Sequence, residues 1–178
     1  MVDRAGALVP AGMALLLALE LLGVPSCTGA APVETELRRT DALIAEGQPD
    51  DALTILLPLA ESQPAEFLLD RQLARAYAAL GRPEREADAW EAFLRKSPAP
   101  GDGCVRLGQV LLARNEAARF IPAAEECLRR DPAQAEVAGQ LAMAYEAVGN
   151  RAAAGEALAR VRQLDPGNPA LVRASEPR

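Results

Sequence analysis

The chain has 178 residues, enough for one domain, with 18 Arg, a single lysine (Lys96), no histidine and a net charge of −6. Without histidine there is no Ser-His-Asp or Cys-His catalysis and no His-ligated zinc, and the acidic balance excludes a protein that tracks phosphates with a basic face. Half the residues are apolar but very few are aromatic. The core must therefore be built of Ala and Leu, the strongest helix formers, and an all-α chain is expected.

Residues 1–32 stand apart in composition from the remainder of the chain. Arg4 precedes an apolar run from Ala5 to Leu19, then Glu20, then Leu21-Leu22-Gly23-Val24-Pro25-Ser26-Cys27. A membrane span needs about 20 apolar residues, and one here would have to include Pro10, Glu20 and Pro25. A short, weakly basic start, an apolar middle and small residues afterwards fit a secretory signal better. Val24-Pro25-Ser26-Cys27 also resembles a bacterial lipoprotein signal, in which the cysteine becomes the lipidated first residue. Pro25 departs from that pattern. Lipidation at Cys27, cleavage after Ala30 or Ala31, and an uncleaved anchor are the three outcomes this segment allows. The expectation is an exported, periplasmic protein tethered as a lipoprotein, whose membrane contact is through the N-terminus only.

From residue 33 onward the chain is punctuated at intervals of thirty-four residues. One column reads Gly47, Gly81, Asn115, Gly149, and another reads Pro64, Pro98, Pro132, Pro166. The copies are residues 33–66, 67–100, 101–134 and 135–168. In each, an apolar helical stripe runs to the first column, where a left-handed residue can end a helix. A second stripe runs to the proline, which cannot continue one. Pro49 and Pro83 fall in the first turn of a second helix, where proline is tolerated. Copy one begins its stripe with Arg39-Thr40, a polar start that suits a solvent-facing end.

Two prolines break the pattern. Pro58 lies inside the second helix of copy one and Pro122 inside that of copy three, each costing roughly 3 kcal/mol in a regular helix. The spacing predicts a kink near Thr54–Pro58, and a kink or a late start near Ile121. Gly101-Asp102-Gly103 reads as a loop and helix N-cap, because it follows no strand and lacks the third glycine of a phosphate fingerprint. After copy four, Asn168-Pro169 is a good helix start. A truncated helix there would cover the last repeat with Leu171 and Val172, and residues 169–178 would be a partial cap and tail.

A thirty-four-residue helix-turn-helix period resembles the tetratricopeptide repeat (TPR). Copy four is most similar, with Leu141-Ala142, Tyr145, Gly149, Ala154 and Pro166. Copy two has Leu73-Ala74, Tyr77, Gly81, Trp90 and Pro98, with Glu86 in a small-residue column and Ala87 beside it. Copy three has Leu107-Gly108, Leu111, Asn115 and Pro132, with Phe120 in that same column. The resemblance implies a right-handed α-solenoid of four helix-turn-helix units plus a short C-terminal capping helix.

The resemblance also implies that the first helices line a concave groove. Off the core stripe, these helices offer Arg38, Asp41, Arg71, Gln72, Arg75, Arg106, Gln109, Gln140, Met143 and Glu146. Arginine forks bind carboxylates in pairs of hydrogen bonds, so an acidic peptide or a free C-terminal carboxylate is the expected guest. Chaperone-binding members of the family clamp a terminal carboxylate with Lys and Asn, which this face lacks. Bacterial exported members assemble pili, outer-membrane proteins or c-type cytochromes. The expected function is thus a non-catalytic protein-interaction module, an adaptor or assembly factor; the alternative is a self-associating scaffold of a cell-envelope complex. No catalytic residue, metal site, cofactor or nucleic-acid partner is expected. With Cys27 lipidated, Cys104 and Cys127 remain, one on each helix of copy three. They read as small buried hydrophobes or, in an oxidising compartment, as a disulfide whose Cα atoms must lie within about 7 Å.

Overall fold

The computed structural model describes residues 32–99 and 101–175. The described residues form nine helices and no strand: α1 (Val33–Ala45), α2 (Pro49–Ser62), α3 (Phe67–Ala79), α4 (Pro83–Lys96), α5 (Gly103–Ala113), α6 (Ala117–Arg130), α7 (Ala135–Ala147), α8 (Arg151–Leu164) and α9 (Pro169–Ser175). Odd-numbered helices up to α7 are the first helices of successive repeats, and even-numbered ones are the second. Each packs against its sequence neighbours, giving an α-solenoid.

The turn between the two helices of a repeat is the same four times. Gly47, Gly81, Asn115 and Gly149 have φ of 77°, 61°, 60° and 81°. In each, the amide of this residue and that of the next fold back onto the ending helix. The bonds are Gly47 N to Ile44 O and Gln48 N to Leu43 O, then Gly81 to Ala78 and Arg82 to Tyr77. Asn115 to Leu112 with Glu116 to Leu111, and Gly149 to Glu146 with Asn150 to Tyr145, complete the set. This Schellman pattern satisfies carbonyls that a helix end would otherwise orphan. Asn115 adopts the left-handed region at some cost, which its short polar side chain makes tolerable. The second helices end alike, with Gln63, Ser97, Asp131 and Asp165 each donating to a carbonyl four residues back.

Between the two helices of a repeat, small residues let the backbones approach and large ones fill the space around them. In the column 40, 74, 108, 142 all four residues are buried. Thr40 is fully buried, contrary to the solvent-facing start expected for copy one; its hydroxyl donates to the Leu37 carbonyl at 2.9 Å, which makes burial tolerable. Arg39 beside it is exposed, as expected. Glu86 is half-buried while Ala87 is fully buried, so Ala87 takes the close-packing role in copy two. Phe120 is fully buried in the small-residue column because Gly108 yields the room: a Cβ on Gly108 would lie 2.7 Å from the Phe120 ring and 2.7 Å from the Gln140 amide carbon.

Neither proline breaks its helix. α2 runs unbroken through Pro58, and α6 begins at Ala117, well before Ile121, and runs through Pro122. Both proline rings are exposed, and buried residues flank them: Leu53 and Leu56 before Pro58, Phe120 and Ala124 around Pro122. Burying side chains of this size contributes about 1.5–3 kcal/mol each, enough to offset a lost helix bond. Asp102 occupies the N-cap position of α5 but makes no side-chain cap bond. At α9 the cap forms: the Asn168 side-chain oxygen accepts from the Ala170 amide at 3.0 Å. Ala170 and Leu171 pack on Ala142, Ala157 and Leu158. Val172 does not share this cover and is 61% exposed, because it falls on the outer side of the short helix.

Two mid-helix glycines should respond oppositely to alanine. Gly108→Ala, pressed on Phe120 and Gln140, should lower unfolding stability by about 1–3 kcal/mol. Gly155→Ala, with nothing within 4 Å of the new methyl, should raise it by about 0.5–1 kcal/mol. Urea unfolding with an unchanged m-value checks both.

Candidate functional site

The groove is the face presented by the first helices, where the column 41, 75, 109, 143 places Asp41, Arg75, Gln109 and Met143 at one register. Two cavities open on it. One, of about 200 Å³, lies between α1 and α3 and is lined by Leu37, Asp41, Leu68, Arg71, Gln72 and Arg75. The other, of about 560 Å³, lies between α5, α7 and the start of α9, with Gln109, Glu136, Gln140, Met143, Asp165 and Asn168 on its walls.

The expected groove residues divide into three kinds. Gln72 and Gln140 are buried and serve as locks between repeats. Gln72 Nε2 donates to the Leu37 carbonyl at 3.4 Å and Gln140 Nε2 to the Val105 carbonyl at 3.1 Å, two bonds in the same register sixty-eight residues apart. Arg75 is neutralised across the repeat by Asp41 and also donates to Gln72 Oε1 at 3.0 Å. Arg38 forms an exposed pair with Glu34 at 2.8 Å, a solvated pair of the kind that contributes little.

Arg71 and Arg106 are the third kind. Arg71 is half-buried in the smaller cavity and makes no ion pair among the described residues. Arg106 is exposed and donates to Gln109 at 3.3 Å, a neutral partner. Arg106 occupies the register of Gln72 and Gln140, so the junction between repeats two and three lacks their lock. The packing agrees: α1 packs along α3 and α5 along α7, whereas α3 and α5 scarcely meet. Lys96 does not reach this face as a free cation, because it pairs with the buried Asp70 at 2.7 Å.

Glu136 and Asp165 are groove residues that the sequence pattern does not single out. Glu136 is exposed and has no ion pair among the described residues. Its register holds Glu34, Leu68 and Asp102 in the other copies, and that largely acidic column is the available signal. Asp165 accepts from the Gly167 amide at 3.1 Å and from Asn168 Nδ2 at 3.3 Å, which orients its carboxylate beside the larger cavity.

A second cleft, of about 330 Å³, opens between α4 and α6 on the side of the second helices. Its floor is Leu94, Pro122, Ala123 and Cys127. Arg119 crosses from α6 to Asp88 at 2.6 Å and Glu91 at 2.7 Å, and Arg130 donates to the Leu94 and Ser97 carbonyls at 3.1 and 3.2 Å. These bonds hold repeats two and three together where the groove side does not. Cys127 is joined to Cys104 by a disulfide with Cα atoms 6.3 Å apart, tying α5 to α6. Among the described residues no group of three or more acidic or cysteine side chains could hold a metal ion, and no helix is long and apolar enough to cross a membrane. Cys27 lies outside the described residues.

Titration follows the same contacts. Hydrogen bonds from Arg129, then Arg130, hold the Glu126 carboxyl down to about 2. The Glu125 carboxylate, accepting from the Tyr145 hydroxyl, pushes that phenol up to about 12. Burial raises Glu86 above the ordinary carboxylate range, against lowering influences from the Trp90 indole and then Arg106.

The solved structures similar to this chain share one architecture. They include the MamA RS-1 ArsTM double mutant (22% identity, TM-score 0.66, covering 83% of this chain and 87% of that one). MamA 41-end from Desulfovibrio magneticus RS-1 aligns at 23% identity and TM-score 0.64, over 78% of each chain. YrrB, described as a TPR protein with an unusual peptide-binding site, aligns at 19% identity and TM-score 0.65, over 85% of this chain and 76% of that one. No protein-family model and no curated protein matches the chain.

Reducing the Cys104–Cys127 disulfide, which closes a 23-residue separation, should lower stability by about 3 kcal/mol on chain-entropy grounds, read by denaturant unfolding with and without reductant. Glu126 has a depressed folded pKa, so its stabilisation is complete above the ordinary carboxylate pKa and is lost as pH falls toward about 2. The melting difference between wild type and Glu126→Gln should therefore be constant near neutrality and vanish at the acid end of that window.

Proposed function

We propose, from the premise that the chain has the tetratricopeptide-repeat fold, that it is a non-catalytic interaction module holding a partner's carboxylate-bearing peptide in the first-helix groove. The observation that carries the reading is Arg71: a half-buried residue lining a cavity, with no ion pair among the described residues. A guanidinium without an ion pair keeps its donors for a guest, and a peptide carboxylate supplies the bidentate partner. Arg106, across the open junction of repeats two and three, adds a second fork. Acidic side chains and a free C-terminal carboxylate share this chemistry. YrrB, whose described peptide-binding site sits on the same fold, supports peptide as the class of guest.

The place of action in this reading is the periplasm, with the chain exported and tethered through Cys27 as an adaptor or assembly factor. Support comes from the apolar run Ala5–Leu19 followed by Val24-Pro25-Ser26-Cys27, and from a disulfide, which persists in oxidising compartments. Intact-mass analysis of membrane-extracted protein should show a lipid on Cys27; an unmodified start after Ala30 overturns the tether. A self-associating scaffold is favoured by one observation. Leu164, 40% exposed at the end of the last repeat, offers an apolar surface on which a neighbouring copy could stack. Light scattering across a hundredfold concentration range separates the two, since the adaptor reading expects a constant monomer mass.

Acidic peptides should bind the wild type and lose at least tenfold in affinity to the Arg71→Glu/Arg106→Glu variant. Fluorescence anisotropy measures this, and equal binding by both proteins overturns the groove.

A further inference from the structure

The groove is electrically two-ended. At the smaller cavity Arg71 and Arg75 face one acid, Asp41, and the balance is positive. At the larger cavity the charged walls are Glu136 and Asp165, with no basic residue lining it among the described residues. Leu112 and Met143 give that cavity apolar walls, and Gln109 and Asn168 add polar atoms. An aliphatic stem ending in a cation fits such a lining, because the stem packs on Leu112 and Met143 while the head meets the carboxylates.

We infer that the groove takes one extended peptide segment bearing opposite charges about six residues apart. Its acidic residue sits at Arg71 and Arg106, and a Lys or Arg side chain enters the cavity between α5, α7 and α9. The spacing comes from the helices. Arg71 is on α3 and Glu136 on α7, two first-helix steps away, at about 10 Å for the packed α5–α7 step and no less for the looser α3–α5 step. An extended peptide covers this shortest span of about 20 Å in about six residues, at about 3.3 Å each, so six is the smallest separation that reaches both cavities. Both cavities lie on the first-helix face, so one extended segment can reach them along it. Charge complementarity at both ends would also fix the direction in which the peptide lies, because a reversed guest places like charges together.

The inference rests on the peptide-in-groove reading and is tested so that the two can fail separately. Capped peptides carry two adjacent Glu and, six positions on, one Lys, in both chain orders; matched peptides replace Lys by Gln or shorten the separation to two residues. In one of the two orders, the six-residue Lys peptide should bind wild-type protein about tenfold more tightly than its Gln counterpart or the shortened one. Glu136→Lys should erase that gain, and a peptide with Glu in place of its Lys should recover it on this variant. Glu136 is exposed, and far-UV circular dichroism checks that the variant is folded. If the Lys and Gln peptides bind wild type equally, or Glu136→Lys leaves the gain intact, the second subsite is wrong while Arg71-dependent binding stands. If no peptide shows Arg71-dependent binding, the groove reading falls and the inference with it.

Discussion

The left-handed turn at Gly47, Gly81, Asn115 and Gly149 is the constraint on which the rest of the molecule depends. Its paired backbone bonds end each first helix in the same way, and each second helix starts two residues after the left-handed residue. With that geometry repeated, the column 40, 74, 108, 142 always falls where two helices cross, and it must hold a small or tightly satisfied residue. The column 41, 75, 109, 143 always falls on the groove. Side chains far apart in the chain therefore share one surface without any long-range signal in the sequence. The turn that costs most, at Asn115, lies in the repeat that also carries the disulfide and an interior proline. The least regular copy is thus the one with an added covalent tie.

The solenoid is not uniform along its length. Gln72 ties repeat two to repeat one and Gln140 ties repeat four to repeat three, each through a backbone carbonyl in the same register. At the middle junction the corresponding residue is Arg106, whose guanidinium points to Gln109 instead. The middle junction is held from the back, by Arg119 and Arg130. Two pairs of repeats are thus joined from the rear, and Arg106 stands on the groove side of the junction between them. Solenoids are sums of nearest-neighbour interfaces, so this interface, lacking its groove-side bond, depends on the contacts at its rear.

What the sequence makes legible is local or periodic. The four turns, the second-helix ends and the Asn168 cap depend on residues within one or two turns of each other, and the thirty-four-residue register multiplies that signal. Copy-two packing can be read because Ala87 stands beside Glu86. The groove is legible only as a face. A glutamine there looks the same whether its amide reaches a ligand or turns back to Leu37 or Val105, and that choice depends on the distance between helices. Thr40 departs from expectation for a similar reason: its hydroxyl finds the Leu37 carbonyl within its own helix, and a polar residue with such a partner can be buried. Pro122 neither breaks nor delays α6, which begins at Ala117 and runs through it. Burial of Phe120 and Ala124 around it prevails over the lost helix bond, a balance that propensity alone does not contain.

Charge shows why position matters more than total. The protein is acidic as a whole, yet many of its arginines are already committed. Arg75 answers Asp41, Arg119 answers Asp88 and Glu91, and Arg129 and Arg130 answer Glu126. Such pairs neutralise one another locally and project little field into the groove. Arg71 differs because it lines the smaller cavity and forms no ion pair among the described residues. Glu136, exposed at the larger cavity, is the opposite charge on this face. In the proposed reading, opposite charges two first-helix steps apart would select a guest by pattern and not by net charge. On that reading an acidic protein would recognise acidic peptides, because salt screens the repulsion of its outer surface more than it screens a short-range arginine fork.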